Sequence, residues 1–514
     1  MQMISTRLSF SQVALVMLSV LTLSACSVGP DYYAPKPVTA SHFNAMDSDT
    51  GSKPQASAIN PQWWKTFQDP QLDSLISRSI AGNLSLQQAV MRIASARQQI
   101  DQARGAWFPG VAGTGQITRQ QLGAEGLLAS NGVYDQMNQN AGQYRSMLDS
   151  LTKPVTLYQG HFDASWELDL WGKVRRQVEV AKARQQQSIE TRNDALVSLE
   201  AEVARTYLQL RGAQAVTQTI ETQIQVAQQT LTLTQSQQQN GLSPMTDVEN
   251  ARAQLGFLRA QLPQYQSQVR QAMSGMAVLL GKVPGALDSE LATPKAMPLL
   301  PARVSVGVPS TLARRRPDVR VAEAQLHAAT ANIGVAIAQM FPSLSLTGEF
   351  GMRNTDASYL DNWSSHFYSV GPSLSIPIFQ GGRLVSSVKL ARADQASAAL
   401  GYRQTVLNAL QEVENALVSY HADQQRVASL NETVDAQQSA FDLARDSYSK
   451  GLSSFIEVLD AQRQLAQTRQ QLVLARMQSS VDLVALYKSL GGGWEPYQTV
   501  NLPAFSVSGE AIQG

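Results

Sequence analysis

Four stretches of the chain alternate between apolar and polar residues, the mark of strands with one dry and one wet face. The clearest has Phe162, Ala164, Trp166, Leu168 and Leu170 on one face and His161, Asp163, Ser165, Glu167 and Asp169 on the other. A second sets Leu344, Leu346, Gly348, Phe350 and Met352 against Ser345, Thr347, Glu349 and Arg353; a third sets Val370, Pro372, Leu374, Ile376 and Ile378 against Ser369, Ser373 and Ser375. A weaker fourth runs from Val111 to Arg119. A half-buried sheet in a water-soluble domain and a transmembrane strand alternate alike, so the strands alone do not decide.

Elsewhere the period is helical. Lys173 to Asn240 and Arg383 to Lys450 are each 68 residues without a proline, interrupted only by Gly212 and Gly401. At ~1.5 Å per residue each predicts a helix of ~100 Å, where globular helices rarely pass ~20 residues. Along the first, Leu196, Leu199, Val203, Tyr207, Leu210, Ala213, Thr217, Ile220, Ile224, Ala227, Leu231 and Thr234 step by threes and fours, as a coiled-coil seam does. Thr246 to Leu280, Ile456 to Leu490 and Gln71 to Gly105 predict helices of 35 residues each, so two placed end to end match one long helix. That favours a helical tube over a compact bundle.

The pattern occurs twice. Gly172-Lys173-Val174, Val178, Ala181 and Ala183 return as Gly382-Arg383-Leu384, Val388, Ala391 and Ala393, and Gly241-Leu242-Ser243, Val248, Ala251 and Leu255 as Gly451-Leu452-Ser453, Val458, Ala461 and Leu465, all offset by 210 residues. Upstream, Phe108-Pro109 and Thr114-Gly115 match Phe341-Pro342 and Thr347-Gly348 at an offset of 233, which leaves a 23-residue insertion around Gln120 to Tyr158. Each half reads helix, strand, loop, strand, long helix, turn, helix. The fold class expected is α+β with an internal two-fold repeat and four strands per chain. Four strands cannot close a membrane barrel, which needs at least eight. Two copies give a narrow barrel filled by its own side chains; three give twelve strands around a lumen lined by Asp163, Glu167, Asp169 and Glu349.

Composition narrows the function. With 514 residues and 43% hydrophobic content the chain is not disordered, and Lys+Arg 41 against Asp+Glu 40 provides no global field for nucleic acid. One cysteine and five histidines, without metal-ligand spacing, imply no disulfide, no metal site and no cysteine nucleophile. No nucleotide or cofactor fingerprint and no nucleophile elbow occurs, so neither a cofactor nor a catalytic residue is expected. Arg314-Arg315-Arg316, followed by Pro317 and Asp318, reads as a helix-start segment and not as a polyanion patch. His161, His366 and His421 read as surface or loop residues. After Cys26 there is no apolar run of 18 residues. Before it, Arg7, the apolar Val13 to Leu23 and Leu23-Ser24-Ala25-Cys26 read as a signal peptide (1–25) with a lipobox, so that Cys26 would carry lipid. Residues 26–61 then form a lipidated tether.

At this point the residues resemble a family. Trp63-Trp64, Phe67, Asp69-Pro70, Leu72 and Leu75, then Ser165-Trp166-Glu167-Leu168-Asp169-Leu170-Trp171-Gly172, Arg315-Arg316-Pro317-Asp318-Val319, Phe341-Pro342 and Leu490-Gly491-Gly492-Gly493-Trp494 are similar to the TolC-like outer membrane factors of the lipidated NodT type. The resemblance implies a homotrimer with a 12-stranded outer-membrane barrel, a periplasmic helical barrel and an equatorial belt. It implies repeats at 62–290 and 291–490 and a tail, 491–514, on that belt. It further implies the exit duct of a tripartite efflux system, met by a periplasmic adaptor (membrane fusion) protein and, through it, an inner-membrane pump of the RND class.

The same resemblance implies that the two Gly-Leu-Ser turns are the adaptor-contact tip: Gly241, Leu242, Ser243 and Asp247 in the first, Gly451, Leu452, Ser453 and Glu457 in the second. Gly241 and Gly451 are expected at positive φ as helix C-caps, with Thr246-Asp247 and Ile456-Glu457 opening the returning helices. By resemblance the second turn is the periplasmic gate: Phe455 and Ile456 form an apolar constriction, and Asp460 and Arg463 form ion pairs that hold it closed. Two other classes fit parts of the sequence: a periplasmic structural or adaptor coiled-coil protein bridging the membranes, and an envelope hydrolase using the acidic strand face.

Overall fold

The computed structural model describes residues 27–36, 43, 60–121, 126, 130, 153–301, 304, 312, 314–505 and 511–512. Cys26, the signal peptide and most of the tether and of the first-hairpin insertion lie outside the described residues.

The element order repeats as the sequence does. The first half comprises α1 (Pro70–Gly82), α2 (Leu84–Gly105), β1 (Gly110–Gln120), β2 (Val155–Leu168), α3 (Lys173–Gln239) and α4 (Met245–Leu279). The second comprises α5 (Pro317–Ala338), β3 (Ser343–Asn354), β4 (His366–Ser375), α6 (Arg383–Ser449) and α7 (Phe455–Ser489). Equivalent helices match to the residue: α2 and α5 have 22, α3 and α6 have 67, α4 and α7 have 35. Among the described residues no helix is long and apolar enough to cross a membrane.

Expected and observed bounds differ where backbone chemistry intervenes. The single helix expected over Gln71 to Gly105 breaks at Asn83, whose Oδ1 accepts from Leu86 N (3.0 Å) while its Nδ2 donates to Leu279 O (2.9 Å). The last expected strand stops at Ser375, short of Ile376 and Ile378, because Pro377 has no N–H to continue a ladder. β2 ends at Leu168, so Leu170 and Asp169 lie past it.

Two compact units share the chain, and each draws on both repeats. One holds Gln98–Lys182, Ala328–Gln395 and the segment ending at Tyr32; the other holds Tyr33–Arg97, Ala183–His327 and the chain from Ala396 onward. The first contains the whole sheet and a small cluster of Ile333, Ala336 and Ala391. In the second, Trp63, Trp64 and Phe67 pack with Leu72, Leu196, Tyr207, Leu483, Tyr487 and Trp494, and Trp63 stacks on Tyr487 at 5.2 Å. Asp69 fixes α1 there, accepting from Gln71 N (2.8 Å) and Leu72 N (3.3 Å) ahead of Pro70. Its other oxygen accepts the Tyr207 hydroxyl at 2.6 Å, and burial, with that bond, pushes the phenol up to about 12.

The arginine run is structural in this core. Arg316, buried, donates to Asp318 (2.7 Å), Glu412 (2.6 Å) and Ser489 O (2.8 Å), while Arg315 meets Glu495 at 2.6 Å. Arg320 lies over the Trp494 ring at 4.8 Å.

Candidate functional site

The sheet is a four-stranded antiparallel meander in the order β1-β2-β3-β4, and among the described residues β1 and β4 are its unpaired edges. Its register lines the apolar residues across all four strands. Val111, Ala164, Gly348 and Val370 share one rung, and Gly113, Phe162, Phe350 and Tyr368 the next. These side chains have no cover: Phe162 is 63% exposed, Val370 73% and Ile117 72%. An apolar face so open is what a lipid-facing strand surface presents.

The opposite face carries the expected acidic residues in three different situations. Asp163 and Glu349 are paired directly across β2 and β3, and His161 Nε2 stands 2.9 Å from Asp163 Oδ2 and 3.9 Å from Glu349 Oε1. Glu167 sits next to the end of β2 and is held by Lys173 Nζ at 3.0 Å, at the strand-to-helix junction. Asp169 is no strand residue at all. Its oxygens accept from Val174 N (2.9 Å) and Arg175 N (3.0 Å), capping α3 where four backbone donors lack partners. Strand alternation extrapolated by two residues had put it on the lumen face.

The histidines also differ from expectation. His161 is a strand residue with its ring 13% exposed, while His366, the first residue of β4, and His421, on α6, are both partly exposed. Asp163 lies two residues on, but the third member of the group, Glu349, comes from β3, nearly 190 residues further along, so no short-range motif marks His161.

The two Gly-Leu-Ser turns share one geometry. Gly241 has φ +75° and Gly451 φ +73°. In the first, Leu242 N donates to Gln237 O (2.9 Å) and Gly241 N to Gln238 O (3.0 Å); in the second, Leu452 N donates to Ser447 O and Gly451 N to Tyr448 O, both at 2.9 Å. This is the paired Schellman pattern, and a left-handed residue ends each long helix abruptly. The returning helices open one residue earlier than expected, at Met245 and Phe455, with Asp247 and Glu457 in their first turns. Ser243 Oγ donates to Asp247 at 2.8 Å and Ser454 Oγ to Glu457 at 3.3 Å, and both carboxylates face helix N-termini. Leu242 and Leu452 project at the apexes, 77% and 78% exposed.

Beside the second turn the expected gate residues part company. Phe455 is buried against Tyr448 (5.5 Å), in a cluster with Val248, Leu255, Phe441, Val458 and Leu459. Ile456 points outward, 66% exposed. Asp460 accepts from Gln464 Nε2 (2.9 Å) and Arg463 donates to Gln254 Oε1 (2.9 Å). Among the described residues they form no ion pair with each other, since each is satisfied by an amide within its own chain.

An antiparallel sheet with open edges and an uncovered apolar face, joined to helices of 67 residues, defines a subunit of a membrane channel. The profile described as "Outer membrane efflux protein" matches residues 75–282 and 308–492, and the chain belongs to that family. It is 31% identical over 474 residues to the antibiotic efflux pump outer membrane protein ArpC of Pseudomonas putida, covering 92% of this chain and 93% of that one. It is 30% identical over 487 residues to nodulation protein T of Rhizobium leguminosarum bv. trifolii, covering 94% and 97%. Among solved structures, the outer-membrane channel OprN superposes with a TM-score of 0.80 at 33% identity, covering 92% of this chain and all of that one. The protein is thus an outer-membrane channel protein of an efflux system, with a four-stranded β domain continued by long helices, as the sequence resemblance implied.

Proposed function

We propose that the chain is one third of a passive duct that carries substrates out through the outer membrane, driven by an inner-membrane pump of the RND class through a periplasmic adaptor. The observation that carries this reading is the open sheet: four strands with an exposed apolar face and two edges unpaired among the described residues are stable in a membrane only when other copies close them. Three copies make twelve strands, with the face bearing Asp163 and Glu349 turned to the lumen. Lipid on Cys26 adds an anchor that the barrel does not need, because the sheet buries far more apolar area than acyl chains do.

The long helices supply a second support. On α6, Leu400, Leu407 and Val418 fall on one stripe at about 100° per residue, and all three are exposed within the chain. A neighbouring copy covers such a stripe in a helical barrel. At the turns, Leu242 and Leu452 form the surface that meets the adaptor, with Gly241, Ser243, Asp247, Gly451, Ser453 and Glu457 shaping the backbone. The gate reading changes with the geometry: Ile456 supplies the apolar ring, Phe455 anchors it from below, and Asp460 and Arg463 act through contacts with neighbouring copies. A passive duct has no catalytic step, and Glu167, engaged by Lys173, is not a free acid for an envelope hydrolase.

Mass measurement in mild detergent tests the assembly. Three chains per particle, forming ion-conducting pores in planar bilayers, is the expected result. A monodisperse monomer or dimer overturns it.

A further inference from the structure

We propose that His161, Asp163 and Glu349 form a binding site for a divalent transition-metal ion of the zinc type on the polar face of the sheet. Pairing of β2 with β3 sets Asp163 opposite Glu349, and His161, two residues before Asp163, shares its face. One ligand atom from each residue can be chosen so that all lie within 4.8 Å of one another. Two ligands about 2.1 Å from a tetrahedral metal stand about 3.4 Å apart. The distances from His161 Nε2, 2.9 Å to Asp163 and 3.9 Å to Glu349, bracket that value, so small side-chain rotations seat an ion.

The surroundings of the imidazole are built for it. Gly351 lies directly opposite His161, and a Cβ added there would fall 2.4 Å from His161 Cβ. The same Cβ would fall 2.4 Å from Gly160 O, so glycine at this rung lets the β2 and β3 backbones approach closely, and the imidazole lies with its centroid 6.3 Å from the Phe367 ring. The other nitrogen, Nδ1, is 3.2 Å from the side-chain amide of Gln159. With that amide turned so that its oxygen accepts from Nδ1–H, the ring is fixed in the tautomer that leaves Nε2 free for a metal.

The donor set selects the ion. One imidazole and two carboxylates give a nitrogen-containing, doubly anionic triad with room for water at the remaining positions. That suits Zn²⁺, Co²⁺, Ni²⁺ or Cu²⁺, whereas Mg²⁺ and Ca²⁺ prefer all-oxygen shells of six or more ligands. The carboxylates are 47% and 36% exposed, so an ion arriving from water reaches them without an opening motion. The competing explanation is a protonated His161 bridging two carboxylates, which needs no metal.

Whether bound metal affects conduction rests on the duct reading, in which three such sites ring the lumen; the binding itself does not. The experiment uses the full-length, tag-free protein in detergent, stripped with chelator and titrated with Zn²⁺ by equilibrium dialysis at pH 7.5, then with Co²⁺ followed by its visible absorption. One saturable Zn²⁺ per chain is expected, weakened at least tenfold in His161→Gln and in Asp163→Asn with Glu349→Gln, and unchanged in His421→Ala. Excess Mg²⁺ should not compete. Absence of saturable binding overturns the proposal, as does wild-type affinity in His161→Gln with normal pore formation in bilayers. Zn²⁺ added to wild-type pores should lower conductance and leave His161→Gln pores unaffected. Binding in dialysis without any block keeps the metal site and removes it from the lumen.

Discussion

Glu200 sits in an environment that opposes its charge. Its side chain is fully buried, neither carboxylate oxygen accepts a hydrogen bond among the described residues, and a Cβ on Gly493 would lie 2.0 Å from its Oε2. Burial first, then the nearby Glu495, raise its pKa well above the ordinary 4.5, and Arg192 only partly offsets them. A carboxyl raised on folding holds its proton in the native state after the unfolded chain has released it. Stability is therefore greatest below the ordinary value and falls as pH rises from 4.5 toward the folded pKa. Glu200→Gln, which keeps shape and loses the charge, should stabilise the protein by about 1–2 kcal/mol at neutral pH. It should also flatten the rise of thermal midpoint on acidification, measured between pH 5 and 8 in detergent; an unchanged pH profile would mean that another group sets it. Sequence gives no warning of such a site, because a glutamate in a helix pattern reads as a solvated face. The same blindness covers His161 and Gly351, which matter only once β2 and β3 are paired. By contrast the Arg316-Pro317-Asp318 segment was legible as a helix start, since capping is local chemistry.

The lengths of the two long helices and of the helices that return from them were legible almost to the residue. A proline-free seam of 68 positions yields helices of 67, and the offsets of 210 and 233 survive in the starts of α3 and α6 and of β1 and β3. What sequence did not reveal is why a helix breaks or narrows, since that depends on what approaches it. The two mid-helix glycines illustrate this. A Cβ on Gly212 of α3 would lie 2.4 Å from the Met477 sulfur on α7, whereas one on Gly401 of α6 meets nothing within 4 Å. Gly212 is thus a close-packing residue, and Gly401 is not constrained within the chain. Gly212→Ala should destabilise by about 1–3 kcal/mol, as overpacking does. Gly401→Ala should leave stability unchanged or raise it by up to about 1 kcal/mol through helix propensity. Thermal unfolding of the two variants side by side checks the contrast, and equal shifts would refute it.

At the scale of the whole molecule, the apolar surface left uncovered among the described residues includes the sheet face, the α6 stripe and the leucines at the turns. Each implies a different neighbour, so charges placed on them should have separable effects. Leu407→Asp puts a carboxylate where a neighbouring α6 or α3 would pack, and desolvating an unpaired charge costs several kcal/mol, repeated at each of three interfaces in a trimer. The fraction of particles with three chains, measured by light scattering at fixed detergent concentration, should fall sharply. Leu242→Asp and Leu452→Asp lie at the turn apexes, beyond the seam, and should leave the particle mass unchanged. They should instead weaken capture of the cognate adaptor on a sensor surface, because an apolar apex contact becomes a buried charge. A trimer that survives Leu407→Asp would show that the α6 stripe faces lipid, solvent or another partner and not a second copy. Loss of trimers with Leu242→Asp would place the subunit contact at the turns, and the adaptor surface would have to be sought elsewhere on the helices.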